Sequence, residues 1–174
     1  VDLEKWFNSI PAVKTKNYIY RNNGSLQFDN YTTAWTDAPP SFSNGATYAD
    51  LDNDGDLDLL VNNADDEAFI LKNTTTETVE GNSNYLRFKF YKTPAQKEEV
   101  YGAVVKLYND SGKLLQIQHY NPQRGFLSTA EHAMHFGTGQ QTIIPRIEIE
   151  FPSKKSITLQ NVHARQLILL FETD

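Results

Sequence analysis

Cysteine is absent from this 174-residue chain and methionine occurs once. No window approaches the ~18 uninterrupted apolar residues of a membrane-spanning helix. The first absence removes a disulfide framework, a thiolate metal site and a cysteine nucleophile, and leaves the redox compartment open. The N-terminal Val-Asp-Leu-Glu-Lys-Trp-Phe run has neither the basic start nor the apolar stretch of a signal peptide. A mature segment or a piece of a longer protein is therefore expected. Helical periodicity is scarce as well: Leu3 to Phe7 allows one turn before Pro11, and almost every other patterned segment reads as strand.

Basic residues are thin in the first half. Residues 1–80 hold five Lys or Arg against fourteen Asp or Glu, whereas residues 81–174 hold eleven against eight. The net charge of −6 and mean hydropathy of −0.54 conceal this asymmetry. Five of the fourteen acids fall between Asp50 and Asp58, a concentration that argues for a local cation site over general polyanion binding. In the second half, a small basic excess without a Lys/Arg stripe or an RRM-type aromatic signature argues against nucleic acid as a partner.

Asn17 to Phe28 comprises two short β-rich runs around Asn22-Asn23-Gly24, a hairpin signal, and Asp37 to Gly45 reads as loop from its Pro, Ser, Asn and Gly content. A strand is expected to leave the acidic segment through Leu57, Leu59 and Val61. Residues 74–84 hold little apolar material and read as a linker between 1–73 and 85–174. Beyond it, Leu86, Phe88 and Phe90 alternate with Tyr85, Arg87, Lys89 and Tyr91, and Ile147, Ile149 and Phe151 alternate with Arg146, Glu148 and Glu150. Runs at 103–108 and 114–120 flank a Gly-containing turn, and Gln166 to Phe171 is apolar enough to close a core. Short strands with frequent turn signals predict an antiparallel β-sandwich of about 90 residues.

The densest chemistry lies in Asp50-Leu-Asp-Asn-Asp-Gly-Asp-Leu-Asp58. Acids at every second position turn carboxylates toward one point, and Gly55 permits the tight turn. Asp50, Asp52, Asp54 and Asp58 are candidate side-chain ligands, with Asp56 contributing through its backbone carbonyl. Hard oxygen donors without His or Cys select Ca²⁺ ahead of Mg²⁺. An EF-hand would need Glu where Val61 stands, followed by a helix instead of a strand. A solvated acidic turn does not require acids alternating around a glycine, and neighbouring ligands on one loop leave no room for two opposed catalytic carboxylates.

Two further surfaces are weaker. The outward strip Tyr85, Arg87, Lys89 and Tyr91 offers a candidate ligand surface for sugar rings or an acidic partner; ordinary strand surface is the competing account. Ser128 with His132 or His135 supplies residue types for nucleophilic catalysis, but no Gly-x-Ser-x-Gly elbow supports it, so no enzyme activity is expected.

Residues 17–28 and 45–62 resemble the Asn-Asn-Gly unit and the calcium segment of FG-GAP/VCBS repeats, with Ser25 where Asp is usual. The resemblance implies a blade of an integrin-α-like β-propeller that binds calcium through the five aspartates. Tyr101 to Leu107, Arg124 to Ser128, His135 to Gly139, Ile147 to Ser153 and Leu159 to Val162 resemble, in that order, the ASPIC/UnbV signature. That resemblance implies part of a larger exported protein. Two units cannot close a propeller, which needs at least about four blades. The expectation is therefore an all-β chain, a partial propeller region followed by an antiparallel sandwich. Its expected role is a calcium-binding extracellular or cell-surface adhesion module contacting glycan or protein, with an accessory domain of a secreted enzyme as the alternative.

Overall fold

The computed structural model describes residues 2–7, 9–78 and 83–173. It is all-β apart from three short helices among those residues. The first part runs α1 (Leu3–Phe7), β1 (Tyr20–Asn22), β2 (Phe28–Asn30), α2 (Thr32–Trp35), β3 (Ser43–Ala49), β4 (Asp58–Asn63), β5 (Phe69–Leu71) and α3 (Thr75–Thr78). Strands β1 and β2 form the expected hairpin. Its turn is held by side chains, since Asn22 Oδ1 accepts the Gly24 N–H at 2.8 Å and Asn23 Oδ1 accepts the Ser25 N–H at 3.0 Å. Strands β3, β4 and β5 make an antiparallel three-stranded sheet, and the acidic segment joins β3 to β4. The last residues of the stretch read as loop, from Ser43, are already strand, because they pair with β4 from Asn63 backwards.

The second part comprises β6 (Asn84–Tyr91), β7 (Val104–Tyr108), β8 (Leu114–His119), β9 (Gln123–Arg124), β10 (Ser128–Thr129), β11 (Met134–Gly139), β12 (Ile143–Glu150), β13 (Ser156–His163) and β14 (Gln166–Phe171). One sheet has the order β13-β12-β7-β8 and is antiparallel throughout. The other has the order β11-β6-β14, in which β14 pairs with β6 in parallel, a departure from the purely antiparallel expectation. The reason is connectivity: β14 follows β13 of the opposite sheet, crosses over, and arrives beside β6 from the same end.

The inner faces meet in one apolar cluster. Leu86, Phe88 and Phe90 of β6, Met134 and Phe136 of β11, Val105 and Leu107 of β7, and Ile147 and Ile149 of β12 are all buried in it. Phe88 meets Phe136 edge-on at 5.7 Å and Phe90 meets Phe151 edge-on at 6.2 Å. Each such ring contributes about 1.5–3 kcal/mol by leaving water. The alternation read in the sequence thus places the expected face inward.

The two parts touch. Thr47 Oγ1 donates to the Thr129 carbonyl at 2.7 Å, and Arg124 donates from Nε and Nη2 to the Tyr48 hydroxyl at 2.9 and 2.6 Å while its guanidinium lies over the Tyr48 ring. The small β9-β10 hairpin therefore leans on β3, and β6 and β11 face the acidic loop.

Candidate metal centre

The loop leaves β3 at Asp50 and re-enters the sheet at Asp58. Its shape comes from Asx-type turns: Asp52 Oδ1 accepts the Asp54 N–H at 3.3 Å, and Asp54 Oδ1 accepts the Asp56 N–H at 3.0 Å. Asn53 at φ 60° and Gly55 at φ 95° provide the left-handed steps. The result gathers Asp50, Asp52 and Asp54, each with a carboxylate oxygen within 4.8 Å of the others.

Asp56 and Asp58 carry hydrogen bonds that fix the loop, and Asp56 Oδ1, like one oxygen of Asp50, is buried without a partner. Asp58 Oδ2 accepts the Leu51 N–H at 3.1 Å and Oδ1 accepts the Asn73 N–H at 2.8 Å, so this buried carboxylate ties both ends of the turn to the backbone. Asp56 Oδ2 accepts from the Thr76 N–H at 3.0 Å, and Thr76 Oγ1 lies 2.6 Å from Asp54 Oδ2. Of the five aspartates singled out in the sequence, Asp50, Asp52 and Asp54 bring their carboxylates together, while the side chains of Asp56 and Asp58 also hydrogen-bond the surrounding backbone. Burial pushes the Asp56 carboxyl above the usual carboxylate range.

Asn73, at the end of the first region, and Thr76, within the stretch read as a linker, clasp the loop. Lys72, just before them, places Nζ 2.9 Å from Asp52 Oδ2 and 2.6 Å from Glu77 Oε1. Glu77 and then Asp52 hold its ammonium well above the ordinary lysine range. The pairing in turn lowers Asp52. No signal in the sequence distinguished these residues from a polar linker.

The loop's other side is covered by the sandwich. Arg87, on β6, donates from Nη1 to Asp50 Oδ2 at 2.9 Å and pairs through Nη2 with Glu131. Its side chain is nearly buried, so the expected outward strip fails at this position: Arg87 points into a covered ion-pair network and is not open to a ligand. Tyr85 is half-buried for a related reason. A Cβ placed on Gly55 would lie 1.9 Å from Tyr85 Cε1, so the loop backbone lies flat against that ring. His135 of β11 stacks on Tyr85 at 5.7 Å and donates from Nε2 to the Gly55 carbonyl at 2.9 Å. Burial pushes the His135 imidazole below its ordinary value, which keeps it neutral near pH 7. Lys89 and Tyr91 remain half-exposed further along β6.

Asp50 supplies the most telling atom. Its side chain is fully buried, Oδ2 is taken by Arg87, and Oδ1 has no hydrogen-bond partner. A buried carboxylate oxygen without a partner is costly, and a cation between Asp50, Asp52 and Asp54 would remove that cost. The donors are all hard oxygens, and the set fits a divalent ion.

Comparison with known families agrees with this geometry. Residues 10–61 match the family model for an FG-GAP-like repeat, and residues 93–174 match that for ASPIC and UnbV. The two matches follow one another along the chain in the order expected from the sequence. No curated protein matches it. The FG-GAP-like match contains the whole acidic loop with β3 and the start of β4, and such a repeat indicates a propeller blade. Such repeats are typical of extracellular proteins, and among the described residues no helix is long and apolar enough to cross a membrane. Lys72, Thr76, Tyr85 and Arg87 lie between the two matched regions, and His135 lies within the ASPIC and UnbV match, outside the repeat that carries the aspartates.

Proposed function

We propose that this chain is a calcium-stabilised, non-catalytic binding module of an extracellular protein. In this reading Asp50, Asp52 and Asp54 hold Ca²⁺, the ion relieves their mutual repulsion, and the blade loop becomes rigid. The supporting observation is the unpartnered, buried Oδ1 of Asp50 at the point where three carboxylates converge. Calcium supplies charge neutralisation and geometry.

The module's partner is a glycan or a protein, and further blades complete the propeller. The β3-β4-β5 sheet supports that last step, because an open groove of about 310 Å³ lies along it, lined in part by Ile19, Gly45, Leu59, Val61 and Leu71. Neighbouring blades of the same construction would cover such a face.

The test of the ion is thermal unfolding with calcium and with chelator. At free Ca²⁺ a hundred times its Kd the folded state should gain about 2.7 kcal/mol, seen as a higher Tm. Asp54→Ala should abolish the difference between the two melts. An identical melt in calcium and chelator at millimolar Ca²⁺, with no terbium luminescence from the loop, would falsify the reading. A glycan array probed with the whole chain in calcium, beside a Tyr91→Ala variant, then addresses the partner.

A further inference from the structure

Among the described residues, three contacts from the sandwich fall on or between the aspartates of the loop. Arg87 takes one oxygen of Asp50 and leaves the other for the ion. The Tyr85 ring supports the backbone at Gly55, so tightly that only a glycine fits. His135 donates to the Gly55 carbonyl, directly between Asp54 and Asp56. A loop of nine residues with three converging carboxylates has to be held against their repulsion, and two of these contacts do so without adding charge.

From this we infer that Tyr85 and His135 are positioning residues for the cation site, so that ion binding and docking of the sandwich onto the blade reinforce one another. The inference rests on the calcium reading above and deepens it: the site belongs to the interface between the two parts and is not a property of the repeat alone. By linkage, whatever the docked sandwich adds to ion affinity, the ion adds to docking. Arg87 belongs to the same interface, but its positive charge opposes the ion while its hydrogen bond orients Asp50. The two uncharged contacts therefore give the clean sign.

The reciprocal half can be tested on the unaltered chain. Amide hydrogen exchange is measured with calcium and with chelator. Calcium should slow exchange in the loop and also at the β6 and β11 segments around Tyr85 to Arg87 and Met134 to Gly137, while β12 and β13 on the opposite sheet stay unchanged. Protection confined to the loop, with β6 and β11 unmoved, overturns the coupling and leaves calcium binding intact. Failure of the wild-type chain to bind calcium or terbium overturns both.

The positioning half is tested on the whole chain with His135→Phe and His135→Gln, titrated with terbium alone. Phenylalanine keeps the stack on Tyr85 and loses the donor; glutamine restores an N–H at a similar reach. The expectation is about a five-fold or greater loss of affinity in His135→Phe, the lower end of typical coupling, with His135→Gln close to wild type. Matching melts of the two variants in chelator show that folding is not the cause. Equal affinities for wild type and both variants would sink the assignment.

Discussion

The two regions of this chain are held together by opposite means. Among the described residues before β6, Val61 is the single buried hydrophobic residue, whereas Thr32, Ser41, Asp50, Asp56, Asp58 and Asn63 are buried polar ones. From β6 onward sixteen hydrophobic residues are buried, around rings and branched aliphatics from two sheets. The sandwich gains stability from apolar area removed from water, a term that needs no particular partner and tolerates small shifts. The blade region depends on hydrogen bonds and carboxylates, whose value rests on every group being satisfied. The difference teaches where an ion matters: a region without an apolar core is the one for which a bound cation is a large share of the stability.

The comparison can be broken most forcefully from the sandwich side. Phe136→Ala removes a fully buried ring from the centre of the cluster and should cost about 3–5 kcal/mol, enough to unfold a marginal domain, with a similar loss in calcium and in chelator. Chemical denaturation under both conditions checks it. A loss that differs between the two conditions would mean that Phe136 acts on the loop as well as on the core.

A smaller effect is expected at the seam. Gly55→Ala introduces a Cβ into the Tyr85 ring at a backbone angle of φ 95°, and should cost about 1–3 kcal/mol. The same change in a Tyr85→Ala background should cost less, since only the backbone strain remains. Additive losses in that double-mutant cycle would show that the two residues do not press on each other.

The mildest prediction concerns charge within the blade region. Lys72→Met removes an exposed ammonium from Asp52 and should tighten terbium or calcium binding a few-fold at low salt, with the gain shrinking as ionic strength rises. Weaker binding would mean that Lys72 shapes the loop more than it competes for it.

Legibility differed between the regions for a physical reason. Leu86, Phe88 and Phe90 declare their face by a period of two, and the structure buries all three. The aspartates likewise declare themselves by spacing, and the three that converge were named from sequence. Composition could not single out Thr76 within the stretch read as a linker, because a solvated linker and a clasp of Asn and Thr donors have the same residue types. Arg87 misled more instructively. Alternation placed it correctly on the outer face of β6, but that face is outer only with respect to the sandwich core, and the blade loop covers it.

Local information in the sequence therefore determined the all-β character, the inward faces of the sandwich strands and the cluster of carboxylates, since periodicity and turn chemistry act over a few residues. Tertiary structure alone decided that β14 lies parallel to β6, that Asp58 braces the frame through Leu51 and Asn73, and that Tyr85, Arg87 and His135 back the loop. Those outcomes join residues from 7 to 80 positions apart, and the contacts that select them form only when the chain has folded back on itself.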